Sequence, residues 1–198
     1  MNAFLFDVDG VLFESSEVVK QTFLSLFKEL ELPAPTPEQI RRDLGYYPPR
    51  WFKELGINGT QELDHAIGKR FVELYPELAM ENEDALPVLG ELRSRGYKLG
   101  VVTNQIECEA KATLSLLGFE FDCVKHAGHG APKPAPDLIL NALSELEVEK
   151  SGALFVGDVE PDVQAASAAG VSYRILARPY NTKLKNRIQS LRELLDVE

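Results

Sequence analysis

Cysteine is nearly missing from this chain. Cys108 and Cys123 are the only two among 198 residues, and their spacing matches neither a metal knuckle nor a redox pair. Reduced thiols in an intracellular protein are the expectation. Long apolar runs are also missing: no segment approaches the roughly 18 consecutive apolar residues of a transmembrane helix, and no basic-then-apolar leader opens the sequence. Positive charge is scarce, with 21 Lys and Arg against 31 Asp and Glu and a net charge of -10. Such a balance disfavours nucleic acid and anionic membrane as partners. An anionic substrate would have to be met by a metal ion or by individually positioned Lys and Arg. No internal repeat or low-complexity segment occurs. The 44% hydrophobic and 26% charged composition is that of an ordinary globular protein. The expectation is a soluble cytoplasmic protein, monomer or homodimer, without nucleic acid or membrane as partner.

What is present begins with Ala3-Phe4-Leu5-Phe6-Asp7-Val8-Asp9-Gly10, a short uncharged apolar run that ends in two carboxylates. This predicts a strand buried on both faces, as in a parallel sheet. Residues two apart on a strand point the same way, so Asp7 and Asp9 can face one site, and Gly10 permits the tight turn away from it. Two neighbouring carboxylates removed from water need a cation or a proton to compensate. Helical spacing follows in Ser15–Leu30, and Thr36-Pro37-Glu38-Gln39 carries the marks of a capped helix start. Further short helices are expected at Pro49–Leu55 and from Thr60 to about Tyr75, with no strand between Ser15 and Asp84. Beyond Asp84, helices and strands alternate. Helix Pro87–Arg95 is followed by strand Lys98–Thr103, helix Glu107–Leu117, a short strand at Cys123-Val124 and helix Asp137–Leu146. Strand Ala153–Val156, helix Pro161–Ala169, strand Tyr173–Leu176 and a last helix over Leu184–Leu195 complete the chain. Alternation of this kind implies right-handed βαβ units and a parallel sheet covered by helices on both faces. The predicted fold class is therefore α/β. It has a Rossmann-like three-layer core built from residues 1–14 and 85–198, and an inserted all-helical domain over residues 15–84.

Ligands of such sheets sit beyond the C-terminal strand ends. Reactive side chains occur there three times: Asp7 with Asp9, Thr103-Asn104, and Asp158 in Gly-Asp-Val-Glu-Pro-Asp, which also contains Asp162. Lys133-Pro134 lies in an adjoining loop. Each has an ordinary explanation on its own, as an Asp-rich turn, a helix cap, a solvated lysine or a second turn. Their joint arrangement at one end of the sheet points to one site.

Together, Asp7-Val8-Asp9-Gly10, Thr103 in Val-Val-Thr-Asn, Lys133 in Lys-Pro-Ala-Pro-Asp, and Asp158 with Asp162 resemble the four motifs of the haloacid dehalogenase superfamily. The resemblance spans essentially the whole chain, and the helical insertion is similar to the cap of subfamily I, as in phosphoglycolate phosphatases and β-phosphoglucomutases. It implies Asp7 as a nucleophile forming an aspartyl-phosphate, with Asp9 as acid and then base. Mg²⁺, a hard cation suited to oxygen ligands, would be held by Asp7, the Asp9 backbone carbonyl and Asp158, with Asp162 behind them or acting through water. Thr103, the Asn104 backbone N–H and Lys133 would bind the phosphoryl oxygens. An Asp at position 9 also disfavours the dehalogenase and phosphonatase branches, whose chemistry protonates no alkoxide. Val11 and Val159 stand where many family phosphatases carry Thr and Ser, and neither change removes a required group.

The expected activity is Mg²⁺-dependent hydrolysis of a small phosphorylated metabolite, phosphoglycolate- or sugar-phosphate-like. A phosphoglucomutase-type phosphotransferase is one alternative, and a non-enzymatic phosphoacceptor signalling or binding module is another. Selectivity is expected from the insertion, through Arg42, Tyr46 and Arg50, because Arg can hold a second anionic group bidentately. Cap movement would hinge near Glu14–Ser16 and Glu83–Ala85. His126 and His129 lack a third soft ligand nearby and are not expected to bind zinc.

Overall fold

The computed structural model describes residues 1–197 of the chain. Strand β1, Ala3–Phe6, is entirely buried, and a short strand β2, Phe13–Glu14, follows the Asp7–Gly10 turn. Helices α1 (Ser16–Glu29), α2 (Pro37–Arg42), α3 (Trp51–Glu54) and α4 (Gln61–Leu78) come next, then strand β3, Met80–Glu81. The remainder alternates: α5 (Ala85–Ser94), β4 (Lys98–Val102), α6 (Glu107–Leu117), β5 (Cys123–Lys125), α7 (Asp137–Leu146), β6 (Ala153–Gly157), α8 (Glu160–Ala169), β7 (Ser172–Leu176) and β8 (Arg187–Ile188).

Six strands form one parallel sheet in the order β5-β4-β1-β6-β7-β8. The expected α/β architecture is borne out. β1 lies inside the sheet, between β4 and β6, which explains why its four residues are all apolar. Its side chains alternate between the two faces. Phe4 and Phe6 join Val88, Leu89 and Leu92 of α5 on one side, while Ala3 and Leu5 join Leu138, Ile139 and Ala142 of α7 on the other. Each fully buried side chain of this size contributes about 1.5–3 kcal/mol relative to exposure. A third cluster, Phe23, Phe27, Trp51, Phe52, Leu63 and Ile67, belongs to the insertion alone and holds α1, α3 and α4 together. The Thr36–Gln39 capping box forms as expected, with the Gln39 N–H donating to Thr36 Oγ1 at 3.2 Å and the Thr36 N–H to Gln39 Oε1 at 2.9 Å.

Three expectations need correction. Residues 15–84 are not wholly helical, because Met80 and Glu81 pair antiparallel with Glu14 and Phe13 and close the base of the insertion as a two-stranded stem. Helix α4 runs past Tyr75 to Leu78, with Pro76 tolerated in its last turn. The expected helix over Leu184–Leu195 is absent. Its apolar residues instead serve β8, which extends the sheet beside β7, and a 3₁₀ helix over Leu191–Asp196. Asn186 adopts a left-handed backbone, φ 55°, which ends any helix there; Ile188, Leu191 and Leu194 are buried all the same.

Candidate active site

The C-terminal ends of β1, β4 and β6 and the loop before α7 converge on one buried cluster. Lys133 Nζ lies 2.8 Å from Asp7 Oδ1 and 2.7 Å from Asp162 Oδ1, and also donates to the Val102 carbonyl at 3.1 Å. The other Asp162 oxygen accepts the backbone N–H groups of Asp158 (2.9 Å) and Val159 (3.1 Å), so Asp162 orients both the lysine and the Asp158 turn. Burial pushes the Asp7 carboxyl up to about 7, against the lowering pull of Lys133 and with a further upward push from Asp162. Asp158 is raised as well, by burial and then by Asp162 and Asp7. Burial works against the charge on Lys133, but Asp162 and Asp7 together outweigh it and hold its pKa above normal.

Three carboxylates and one ammonium leave this cluster two charges short of neutrality when all are ionised. Oxygens of Asp7, Asp158 and Asp162 lie within 4.8 Å of one another, the one such group of potential metal-ligating side chains among the described residues. Asp158 Oδ2 accepts from the Tyr180 hydroxyl at 2.5 Å, whereas Asp158 Oδ1 is buried with no partner. An orphaned carboxylate oxygen beside two more carboxylates, with oxygen donors throughout, fits a hard divalent cation such as Mg²⁺. Gly10 is required here. Its φ of +77° favours glycine, and a Cβ would fall 2.0 Å from Asp158 Oδ2.

Asp9 has a different environment. One oxygen accepts from the Ser15 hydroxyl (2.6 Å) and from Tyr75 of α4 (3.3 Å), and the other from Gln105 Nε2 (2.9 Å). Thr113 donates to Gln105 Oε1 at 3.0 Å and so fixes the direction of the amide. Burial raises the Asp9 pKa, while the bonds from Ser15, Gln105 and Tyr75 moderate the rise. Thr103 Oγ1 accepts from the Gln105 N–H at 3.2 Å, which leaves its hydrogen available to a ligand. The Asn104 side chain joins the insertion to the core, donating to the Gly45 carbonyl (2.8 Å) and the Lys133 carbonyl (2.8 Å) and accepting from the Lys133 N–H (2.7 Å).

A model of the haloacid dehalogenase-like hydrolases matches residues 4–175, from the first strand into β7. The chain belongs to this family. It is 30% identical over 203 residues to a phosphoglycolate phosphatase of Aquifex aeolicus, covering 95% of this chain and 90% of that protein. It is 32% identical over 186 residues to the pyrophosphatase PpaX of Bacillus velezensis, covering 86% and 80%. Among solved structures, a subfamily IA hydrolase of Geobacter sulfurreducens superposes with a TM-score of 0.78 at 28% identity, over 99% of this chain and 98% of the other. The chain is thus an enzyme of the haloacid dehalogenase-like phosphatase group, and the signalling-module alternative falls away.

Asp7, Asp9, Thr103, Lys133 and Asp158 line one cavity, and Asp162 is fully buried behind them, paired with Lys133. The family motifs do not, however, account for everything in it. Ser15, Tyr75 and Gln105 around Asp9, and Tyr180 and Asn181 around Asp158, were missed in the sequence. Asn181 Nδ2 donates to the Asp158 carbonyl at 2.7 Å and to the Leu176 carbonyl at 2.8 Å. Applying the strand-end rule to β7 as well would have found this pair, and Gln105 stands next to Thr103-Asn104. Tyr75, near the C-terminal end of α4 and at helical spacing with its other apolar residues, carried no signal. Of the three insertion residues singled out, only Tyr46 lines the cavity. Arg42 Nε and Arg50 Nε both donate to Asp43 Oδ1 at 2.9 Å; Arg42 also pairs with Glu54 at 2.7 Å, and the Arg50 guanidinium sits 4.4 Å over the Tyr46 ring. The His126 and His129 rings lie 3.9 Å apart, tilted by 50°, outside the metal-ligating group.

Proposed function

We propose that this chain is a Mg²⁺-dependent phosphatase that passes the phosphoryl group of a small phosphorylated metabolite to Asp7 and then to water. The observation that carries this reading is the buried Asp7–Lys133–Asp162 ion group beside an unpartnered Asp158 oxygen. A fold keeps such a costly arrangement where charge has to be handled.

Asp7, Asp158 and the Asp9 backbone carbonyl would hold the Mg²⁺. When bound, the ion neutralises charge that develops on the phosphoryl oxygens. Asp7 attacks phosphorus as the bond to the leaving oxygen breaks, and Asp9 gives that oxygen a proton. Water then attacks the phosphorus of the aspartyl-phosphate and passes its proton to Asp9, and cleavage of the bond to Asp7 frees phosphate and restores the Asp7 carboxylate and the protonated Asp9. The raised pKa of Asp9 suits the first, protonated role. Thr103 donates its hydroxyl, and the Asn104 N–H and the Lys133 ammonium complete the set of donors to the phosphoryl group. Asp162 acts by positioning Lys133 and the Asp158 turn.

Residues 15–84 act as a cap that shuts water out, with β2 and β3 pairing at its base and hinges near Glu14–Ser16 and Glu83–Ala85. Cys108 and Cys123 are both free, which suits a reducing compartment such as the cytoplasm.

Release of inorganic phosphate from a panel of small phosphomonoesters, with Mg²⁺ and then with EDTA, tests this reading. Turnover lost on chelation and restored by Mg²⁺ is expected. Release indifferent to EDTA would contradict it, and silence across the panel with Asp7 phosphorylated by a sugar bisphosphate would assign a phosphoglucomutase-type transferase instead.

A further inference from the structure

The cavity above the reacting carboxylates is walled by Phe23, Ile40, Trp51, Ile67, Phe71 and Ile106, all apolar. Lys133 is the one cation among its described lining residues, and it is committed to Asp7 and Asp162. The charged groups that line the cavity away from the strand ends are Asp43, Asp64 and Glu109. Asp43 is neutralised from outside by Arg42 and Arg50, the two arginines best suited to holding a second anion, which are thereby drawn off the cavity. Asp64 accepts the Tyr47 hydroxyl at 2.6 Å, and Glu109 accepts the Ile106 N–H at 2.9 Å. Thr22, buried on the same wall, has a hydroxyl with no partner, a neutral group that can serve an uncharged hydrogen-bonding function.

A substrate carboxylate or second phosphate seated here would lose its hydration, meet no free cation, and lie among carboxylates. Each of these is unfavourable. An apolar group without charge meets none of these penalties and gains from burial.

We infer that this chain selects phosphomonoesters whose organic part is largely apolar and carries no second negative charge. The inference rests on the phosphatase reading and narrows it away from phosphoglycolate, bisphosphates and pyrophosphate. The selection is made by repulsion as much as by fit, since the wall offers a second anion the Asp64 and Glu109 carboxyls, to which no cation is paired among the described residues, in place of a partner.

Two arms test it on the full chain with Mg²⁺. In the first, kcat/KM is measured for pairs differing by one carboxylate: benzyl against 4-carboxybenzyl phosphate, and ethyl phosphate against phosphoglycolate. The uncharged member should win by about tenfold or more. At pH 8, Ile67→Lys, which adds a cation to the wall, and Glu109→Gln, which removes an anion at nearly constant volume, should each narrow the gap roughly threefold or more. Equal or better turnover of the carboxylated members would overturn the inference. The second arm needs no turnover. Trp51 is the only tryptophan and lines the cavity, so its fluorescence reports binding of benzylphosphonate and 4-carboxybenzylphosphonate. Tighter binding of the uncharged ligand supports the inference even where no phosphate is released, an outcome that would sink only the phosphatase reading. Tighter or equal binding of the carboxylated ligand overturns the inference whatever the turnover.

Discussion

At the strand ends, Asp7, Lys133, Asp158 and Asp162 are between 0% and 6% exposed and are linked in a chain of contacts, Asp7 to Lys133, Lys133 to Asp162 and Asp162 to the Asp158 N–H. Across the cavity, on the insertion, Arg42 and Arg50 are exposed and bind Asp43, while Phe23, Trp51, Ile67 and Phe71 face inward. The floor of the site thus concentrates charge in a dry place, and the roof keeps its positive charge away from it. The difference follows from what each does. Charge that develops on a transferring phosphoryl group needs fixed, desolvated partners. A leaving group that is only to be recognised needs a surface complementary to its own polarity. Gly45 marks where the two meet. Its φ is +80°, and a Cβ there would fall 2.5 Å from Val159 Cγ2, so floor and roof pack closely beside the Asn104–Gly45 bond.

Substitutions on either side should separate the two. The largest effect belongs to the floor: Asp7→Asn removes the proposed nucleophile with little change of shape and should lower phosphate release on the order of 10⁴-fold or more, measured as kcat under saturating Mg²⁺. Lys133→Ala leaves Asp7 and Asp162 buried without their shared partner. In EDTA it should cost about 3–5 kcal/mol of stability by chemical denaturation, with part of the loss recovered on adding Mg²⁺. Tyr180→Phe removes the hydroxyl that holds Asp158 and should weaken Mg²⁺ activation about 10–100-fold, read from the metal concentration for half-maximal rate.

A smaller effect is expected on the cavity wall that the core itself supplies, at Glu109 of α6. Burial pushes the Glu109 carboxyl up to about 7, Asp9 adding to the rise and the Ile106 N–H opposing it. A carboxyl raised in the folded state binds its proton more tightly there than in the unfolded chain. It therefore contributes stability below its unfolded pKa, and that contribution is lost as pH rises through about 7. Between pH 5 and 8 the wild type should lose about 3 °C more in Tm than Glu109→Gln. Identical pH slopes would mean that this wall is wetter than the geometry indicates.

The floor was legible in the chain itself because its chemistry leaves a regular trace. Reactive residues stand at the ends of short apolar strands, two apart at Asp7 and Asp9, followed by a glycine that the turn requires. The roof was not legible in the same way. Arg42, Tyr46 and Arg50 were the right residue types for an anion site, but which way an arginine turns depends on its partner, and that partner, Asp43, lies between them without any pattern to reveal it. Leu184–Leu195 failed for a related reason. Leu184, Ile188, Leu191 and Leu195 recur at helical spacing, yet a left-handed Asn186 and the free edge of β7 favour a short strand and a 3₁₀ turn that bury Ile188, Leu191 and Leu194 equally well. Tyr75 reaches Asp9 from the last turn of α4, through a tertiary contact that no local spacing could announce.

The account depends most on Asp7 carrying the phosphoryl group. Rapid quenching in acid during turnover, followed by mass analysis of the peptides, measures this directly. A single phosphoryl group on Asp7, formed and lost at rates no slower than kcat, is the predicted result. Turnover with Asp7 unmodified at every time point, or with the group on another residue, would contradict the account.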